Sequence, residues 1–129
     1  MPRELEKPAP RPLEWVGSSK SDLCDFPVPV RKAMGHCLHL VQTGETPANA
    51  KPLHGFGGAS VLELVENFDG NTYRAVYTVK FADAVYVLHA FQKKSKRGGS
   101  TPKPEIDLIQ QRFKTAAEHY RRIYGSEHA

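Results

Sequence analysis

Apolar residues between Pro29 and Val41 recur at spacings of three and four. Val30, Ala33, Met34, Cys37 and Val41 form one stripe, the period of a helix with one buried face. Pro29 opens that helix, where proline's missing amide costs nothing. Gly44 stops it at the position favoured for a left-handed cap, and Arg31, Lys32 and Gln42 lie off the stripe. A shorter helix precedes it, capped by Ser19 or Ser21 and ending near Phe26, because Pro27 disfavours helical geometry just before it. Leu13 to Val16 reads as a short strand with Trp15 as a core anchor. After Val61 the period drops to two. Val61–Glu66, Tyr73–Phe81 and Ala84–Gln92 read as a β-meander, turning at Asp69-Gly70 and near Ala82-Asp83. Tyr73, Ala75, Tyr77, Val79 and Phe81 share one face, expected to carry the helices, while Arg74, Val76, Thr78 and Lys80 share the other. Ala84 to Leu88 is apolar throughout, as in a strand covered on much of both faces. Thr101 caps a last helix with Pro102 and Pro104 in its first turn. Its stripe is Ile106, Ile109, Phe113, Ala116 or Ala117, and Tyr120; Arg112, Lys114, Arg121 and Arg122 point elsewhere. The expected fold is α+β: a small, mostly antiparallel sheet with an N-terminal helical pair and a C-terminal helix, the helices on one face.

Length and composition narrow this further. The 129 residues suit one domain, and a 25% charged fraction beside 40% hydrophobic residues argues against wholesale disorder. Residues 1–12 carry four prolines among charges and read as a disordered arm, leaving 13–125 as the domain. No apolar stretch approaches the ~18 residues of a membrane span, and the amino terminus lacks a signal-peptide core. A soluble, cytoplasmic protein without a membrane partner is expected. Cys24 and Cys37 both fall in helical segments and read as partly buried thiols of a reducing compartment. His36-Cys37-x-His39 hints at metal, but on a helix Cys37 points about 100° from His36, and no third or fourth ligand follows at a recognisable spacing. Neither metal nor cofactor is expected, and the two histidines read as surface or helix-face residues. Pro47 to Gly58 reads as loop; its run Gly55-Phe56-Gly57-Gly58 lacks the Lys-Ser/Thr of a phosphate-cradling P-loop. Phe56 is expected to tuck its ring into the core.

Charge directs attention to the end of the meander. Between Phe91 and Pro104 stand Lys93, Lys94, Lys96, Arg97 and Lys103 with no acid, and the net charge is +4 with a pI near 9.1. Such a balance suits a polyanion. Cleavage of RNA by its own 2′-hydroxyl needs a base near that hydroxyl, positive charge around the crowded phosphate, and a proton for the leaving oxygen. Arginine meets phosphate oxygens with a planar fork that stays charged. A lysine among other cations loses its proton more readily. Arg74, Lys93 and Lys94 can thus cover all three roles without metal, with Lys80 adding charge beside Arg74, and Lys96 and Arg97 contacting RNA. From charge alone, phosphate binding without chemistry is the plainer reading. By strand alternation His89 shares a face with Val85, Val87 and Phe91, which suits a satisfied, part-buried histidine; a catalytic role is its second reading. His54 belongs to no constellation, the scattered acids form no pair on one strand face that resembles a glycosidase or metal site, and no Ser-His-Asp or Cys-His set can be assembled. A helix-turn-helix with a basic recognition helix, as in a DNA regulator, is not visible.

Four segments then resemble a known family: Leu-Glu-Leu at 62–64, Tyr-Arg-Ala-Val-Tyr at 73–77, the run from Val85 to Ser95 ending Phe-Gln-Lys-Lys-Ser, and Thr-Pro-Lys-Pro-Glu-Ile at 101–106. These, with Lys51 to Phe56, resemble the phage-derived RelE/HigB-like toxins of bacterial toxin–antitoxin systems. The resemblance runs from about Leu13 into the final helix. It implies a RelE-like fold and an endoribonuclease that cuts messenger RNA on the ribosome. It also implies a cognate antitoxin, often with a helix-turn-helix domain. By position, Arg74 matches the arginine that contacts the scissile phosphate, and Lys94 falls where relatives place a basic residue, with Lys93 beside it. Where relatives often read Glu-Leu-Arg, this chain has Glu63, Leu64 and Val65. That departure favours a second reading, a non-catalytic RNA- or partner-binding module.

Overall fold

The computed structural model describes residues 9–56, 58, 60–93 and 101–125. Its elements follow in the order β1 (Leu13–Trp15), α1 (Ser19–Cys24), α2 (Val28–Gln42), β2 (Ala50–Pro52), β3 (Val61–Phe68), β4 (Asn71–Thr78), β5 (Val85–Lys93) and α3 (Lys103–Ile123). The five strands form one sheet in the order β1-β5-β4-β3-β2. β1 runs parallel to β5, and the remaining pairs are antiparallel. The meander expected from the alternation is present. Its first turn uses Asp69 at φ 52° and Gly70 at φ 80°, the left-handed pair that matches the twist of a tight hairpin.

The helices do not share one face. Leu23 of α1, Phe26 of the turn after it, and Val30, Met34, Leu38 and Val41 of α2 pack with Leu62, Leu64, Tyr73, Ala75, Tyr77, Val85 and Val87. Ile109 and Ala116 of α3 pack instead with Val61, Val76, Tyr86, Leu88 and Phe91. The sheet is therefore sandwiched, and Arg74 and Val76 face α3. Phe81 also departs from the expected alternation. β4 ends at Thr78, and the chain beyond turns Phe81 back to stack on Tyr120, with ring centroids 4.7 Å apart. Phe56 does reach this second core, edge-on to Phe113.

A β-bulge decides where the end of β5 points. Val76 pairs with His89 but Tyr77 pairs with Val87, leaving Leu88 as an extra residue. A bulge reverses the alternation beyond it. Val85 and Val87 therefore face α2, while Leu88, His89 and Phe91 face α3. The expected common face of His89 with Val85 and Val87 is corrected by that one residue, and Lys93 follows His89 by the same two-residue period.

Other differences are local. β2 lies inside the expected loop and adds an edge strand to β3. Ser18 precedes α1 at the cap position, whereas Ser19 is buried and donates to the carbonyl of Val87 at 3.1 Å. Cys24 is exposed; Cys37 is buried beside Asn49, and burial pushes its thiol up from its ordinary value. Of the expected disordered arm, residues 1–8 lie outside the described residues. Arg11 is pinned: its amide donates to Gln42 O at 2.9 Å and its guanidinium to Val41 O at 3.0 Å.

Candidate functional site

Three strand registers bring the chemistry together on the α3 face. Across the sheet, Lys51 of β2 stands opposite Glu63 of β3, Glu63 opposite Val76 of β4, and Val76 opposite His89 of β5. One step along, Val65, Arg74 and Phe91 stand abreast, and one step further Thr72 pairs with Lys93. Arg74 reaches diagonally to the previous row. Its Nη1 donates to Glu63 Oε1 at 2.7 Å, with the two residues each only 2% exposed. Thr101 donates from Oγ1 to the other carboxylate oxygen, Oε2, at 2.6 Å. Thr101 thus does not cap α3 as expected; Pro102 holds the cap position and Pro104 lies in the first turn.

Above this pair opens a cleft of about 290 Å³, lined by Lys51, Leu53, His54, Glu63, Arg74, Thr101 and Ile106, with Pro52 at its edge. Its walls mix apolar Leu53 and Ile106 with polar Lys51, His54 and Thr101, and its floor is an ion pair. Lys93, 6% exposed, is close enough to feel that floor. Burial lowers its pKa most, the Arg74 charge lowers it further, Glu63 opposes, and Lys51 adds a smaller lowering. A depressed lysine among fixed cations exchanges its proton nearer neutrality than a solvated one. The cleft therefore combines fixed positive charge with one buried anion, and Lys93, which does not line it, interacts electrostatically with Arg74, Glu63 and Lys51 from beside it.

The expected site residues fare differently. Arg74 and Lys93 are brought together. Lys94, Lys96 and Arg97 lie outside the described residues. Lys80, exposed, shares the Arg74 face but lies well along the chain beyond it, its ammonium over the Phe113 ring at 5.4 Å from the centroid. It does not join the Arg74 group. His89 is buried and fully engaged in docking α3: Nε2 bonds Glu105 Oε1 at 2.6 Å, and Arg112 Nη1 faces Nδ1 at 3.4 Å. Arginine only donates, so Nε2 carries the hydrogen given to Glu105. Arg112, expected to point away, also donates to Leu88 O at 3.0 Å and to Ser18 Oγ at 3.1 Å, binding α3 to β5 and α1.

Glu63, Lys51, His54 and Thr101 were absent from the sequence-derived set. Glu63 had a signal: a lone acid on the Val61–Val65 face, set against Arg74 on the following strand. Lys51 fell within a segment that carries the family resemblance, but only pairing of the short β2 puts it opposite Glu63. Among the described residues no group of histidine, cysteine, aspartate and glutamate side chains could hold a metal ion, and no helix is long and apolar enough to cross a membrane.

Comparison with known proteins supplies a family. The sequence pattern of the family described as Phage derived protein Gp49-like (DUF891) matches residues 21–114. A solved structure of a mutant E. coli toxin RelE in the free state is similar, with a TM-score of 0.53 at 16% identity, over 83% of this chain and 98% of that one. The toxin–antitoxin complex RelBE2 from Mycobacterium tuberculosis gives a TM-score of 0.46 at 17% identity, over 70% of this chain and 100% of the matched chain. A search of curated protein sequences returns no significant match.

Proposed function

The chain belongs to the Gp49-like family of phage-derived proteins and has a RelE-like fold, and from that premise we propose that it is the toxin of a toxin–antitoxin pair, a metal-independent endoribonuclease acting on messenger RNA at the ribosome. The observation carrying this reading is the cleft itself: Arg74 fixed in its floor beside a lysine whose pKa is lowered by burial and by that arginine.

Each component of the reaction has a candidate. The neutral fraction of Lys93 takes the proton of the ribose 2′-hydroxyl. The freed oxygen attacks the adjacent phosphorus and the bond from phosphorus to the 5′-oxygen breaks, leaving a 2′,3′-cyclic phosphate. Arg74 and Lys51 oppose the charge that accumulates on the phosphate oxygens, more effectively on a dry cleft floor than in water. His54, exposed where it lines the cleft, is the candidate that protonates the departing 5′-oxygen. Val65 stands directly opposite Arg74, where the resemblance leads one to expect a second arginine; Lys51 and Lys93 supply the positive charge from neighbouring strands instead. The lysine-rich stretch at Lys94, Lys96 and Arg97 extends the RNA path. A cognate antitoxin, with a helix-turn-helix portion in the pattern the resemblance implies, covers the cationic face in the producing cell.

The depth of Arg74 and its pairing with Glu63 favour one alternative, a module that binds RNA or a partner without cutting. Induced expression followed by mapping of 5′ ends on translated messages separates the two. The toxin reading expects growth arrest with new in-frame message ends, while the binding reading expects neither.

A further inference from the structure

We infer that Glu63 is a positioning residue of the cleft: one buried carboxylate grips Arg74 with one oxygen and Thr101 with the other, setting the guanidinium and the chain entering α3 in a single geometry. This rests on the reading of the cleft as an RNA-cleaving site.

Three observations carry the inference. First, the anion is committed on both sides, at 2.7 Å to Arg74 Nη1 and 2.6 Å to Thr101 Oγ1, and is 2% exposed. Charge-assisted bonds of this length are stronger than neutral ones and directional. Second, the two groups it joins come from different parts of the fold. Arg74 lies on the middle strand, and Thr101 stands two residues before the first turn of α3. Both line the cleft, and the carboxylate that joins them lines it too. Third, Glu63 stands opposite Lys51 in the strand register and interacts electrostatically with Lys93. A single negative charge thus lies within a group of three cations, and holds the amine more protonated than the cations alone would.

An acid beside a phosphate site is costly if it only repels the substrate. Glu63 escapes that penalty because its charge is matched by Arg74 within the floor. Its contribution is orientation: the guanidinium cannot swing away from the cleft without abandoning a buried charge. Misplacement of a reacting group by an ångström costs about a hundredfold in rate.

The test compares wild type with Glu63→Gln, which keeps the shape and removes the charge, and Thr101→Val, which keeps the charge and removes one bond. For each, thermal unfolding, single-turnover RNA cleavage across pH, and the NMR titration of the Lys93 side chain are measured. Glu63→Gln is expected to lower kcat by about ten- to a hundredfold with KM within about twofold. It should also move both the Lys93 midpoint and the matching limb of the rate profile to lower pH. Thr101→Val is expected to lower kcat about tenfold without moving either midpoint. A folded Glu63→Gln with wild-type kcat and an unmoved Lys93 midpoint overturns the inference, as does a rate loss in which the pH limb stays in place. If Glu63→Gln fails to fold, Thr101→Val decides, and wild-type kcat in that variant overturns the inference. If wild type cuts no RNA, the proposed function fails, and the Lys93 midpoint in Glu63→Gln still decides the role of Glu63: moved, it stands; unmoved, it falls.

Discussion

Arg74 and Glu63 dominate the energetics at the level of single side chains. Each is nearly inaccessible, so removing one takes from the other a buried, oppositely charged hydrogen-bond partner. Arg74→Ala should therefore cost about 3–5 kcal/mol in urea denaturation, whereas the double substitution Arg74→Met with Glu63→Leu should recover most of it. A double variant as unstable as the single one would contradict this account. The same argument limits the obvious toxicity test, because Arg74→Ala relieves growth arrest equally by unfolding. Tyrosines offer a second check. Burial, with the charges nearby, raises Tyr77 to about 12, and the bond to Glu14 raises Tyr124 to about 12; burial also raises Tyr86. A phenol whose folded pKa lies above its unfolded 10.0 keeps its proton longer when folded. It thus contributes stability that is complete below pH 10 and lost as pH rises towards 12. Tyrosinate absorbance at pH 11 should be lower in the native protein than in urea, and stability should fall across pH 10–12. Equal absorbance in the two states would refute the burial described for Tyr77.

Among the elements, α3 is held by contacts that the sequence signals only in part. Gly17 has φ 58°, and a Cβ there would lie 2.8 Å from the Arg112 guanidinium. Gly17→Ala should cost about 1–2 kcal/mol from backbone strain alone and more from displacing Arg112; a neutral effect on the unfolding midpoint would mean that Arg112 does not clamp α3 to the turn before α1. The stripe from Ile106 to Tyr120 announces that α3 packs, yet not on which side of the sheet. Ala84 to Leu88 is apolar on both faces and accepts a helix on either. The three long strands and α2 were legible because their periods are sustained over many residues. The bulge at Leu88 was not, since Val-Tyr-Val-Leu-His-Ala-Phe carries no glycine or proline, and an extra residue shows only against a partner strand. β2 was hidden for a related reason: three residues ending in Pro52 give no alternation to read. Of the site, Arg74 and Lys93 could be placed from the sequence, whereas Lys51 depends on the β2 register and Thr101 was drawn to a capping role by the prolines after it.

At the scale of the whole molecule, an excess of four positive charges and a cationic cleft predict association governed by electrostatics. Capture of the proposed antitoxin should slow with added salt. Neutralising Lys93, Lys94, Lys96 and Arg97 should reduce the association rate more than it raises dissociation. Surface plasmon resonance at several ionic strengths checks this, and an association rate indifferent to both salt and substitution would place the antitoxin away from the basic face. The central claim is that the cleft cuts RNA through Lys93 without metal. The most direct measurement is 5′-end mapping of a translated message incubated with ribosomes and purified protein, comparing wild type with Lys93→Met, a near-isosteric neutral variant whose folding is checked by circular dichroism. Ribosomes lose integrity without magnesium, so the metal control is run on a free RNA fragment. The account predicts cleavage by wild type leaving a 2′,3′-cyclic phosphate, and a loss of about a hundredfold or more in the folded Lys93→Met protein. Absence of cleavage by wild type, or equal cleavage by Lys93→Met, would contradict it.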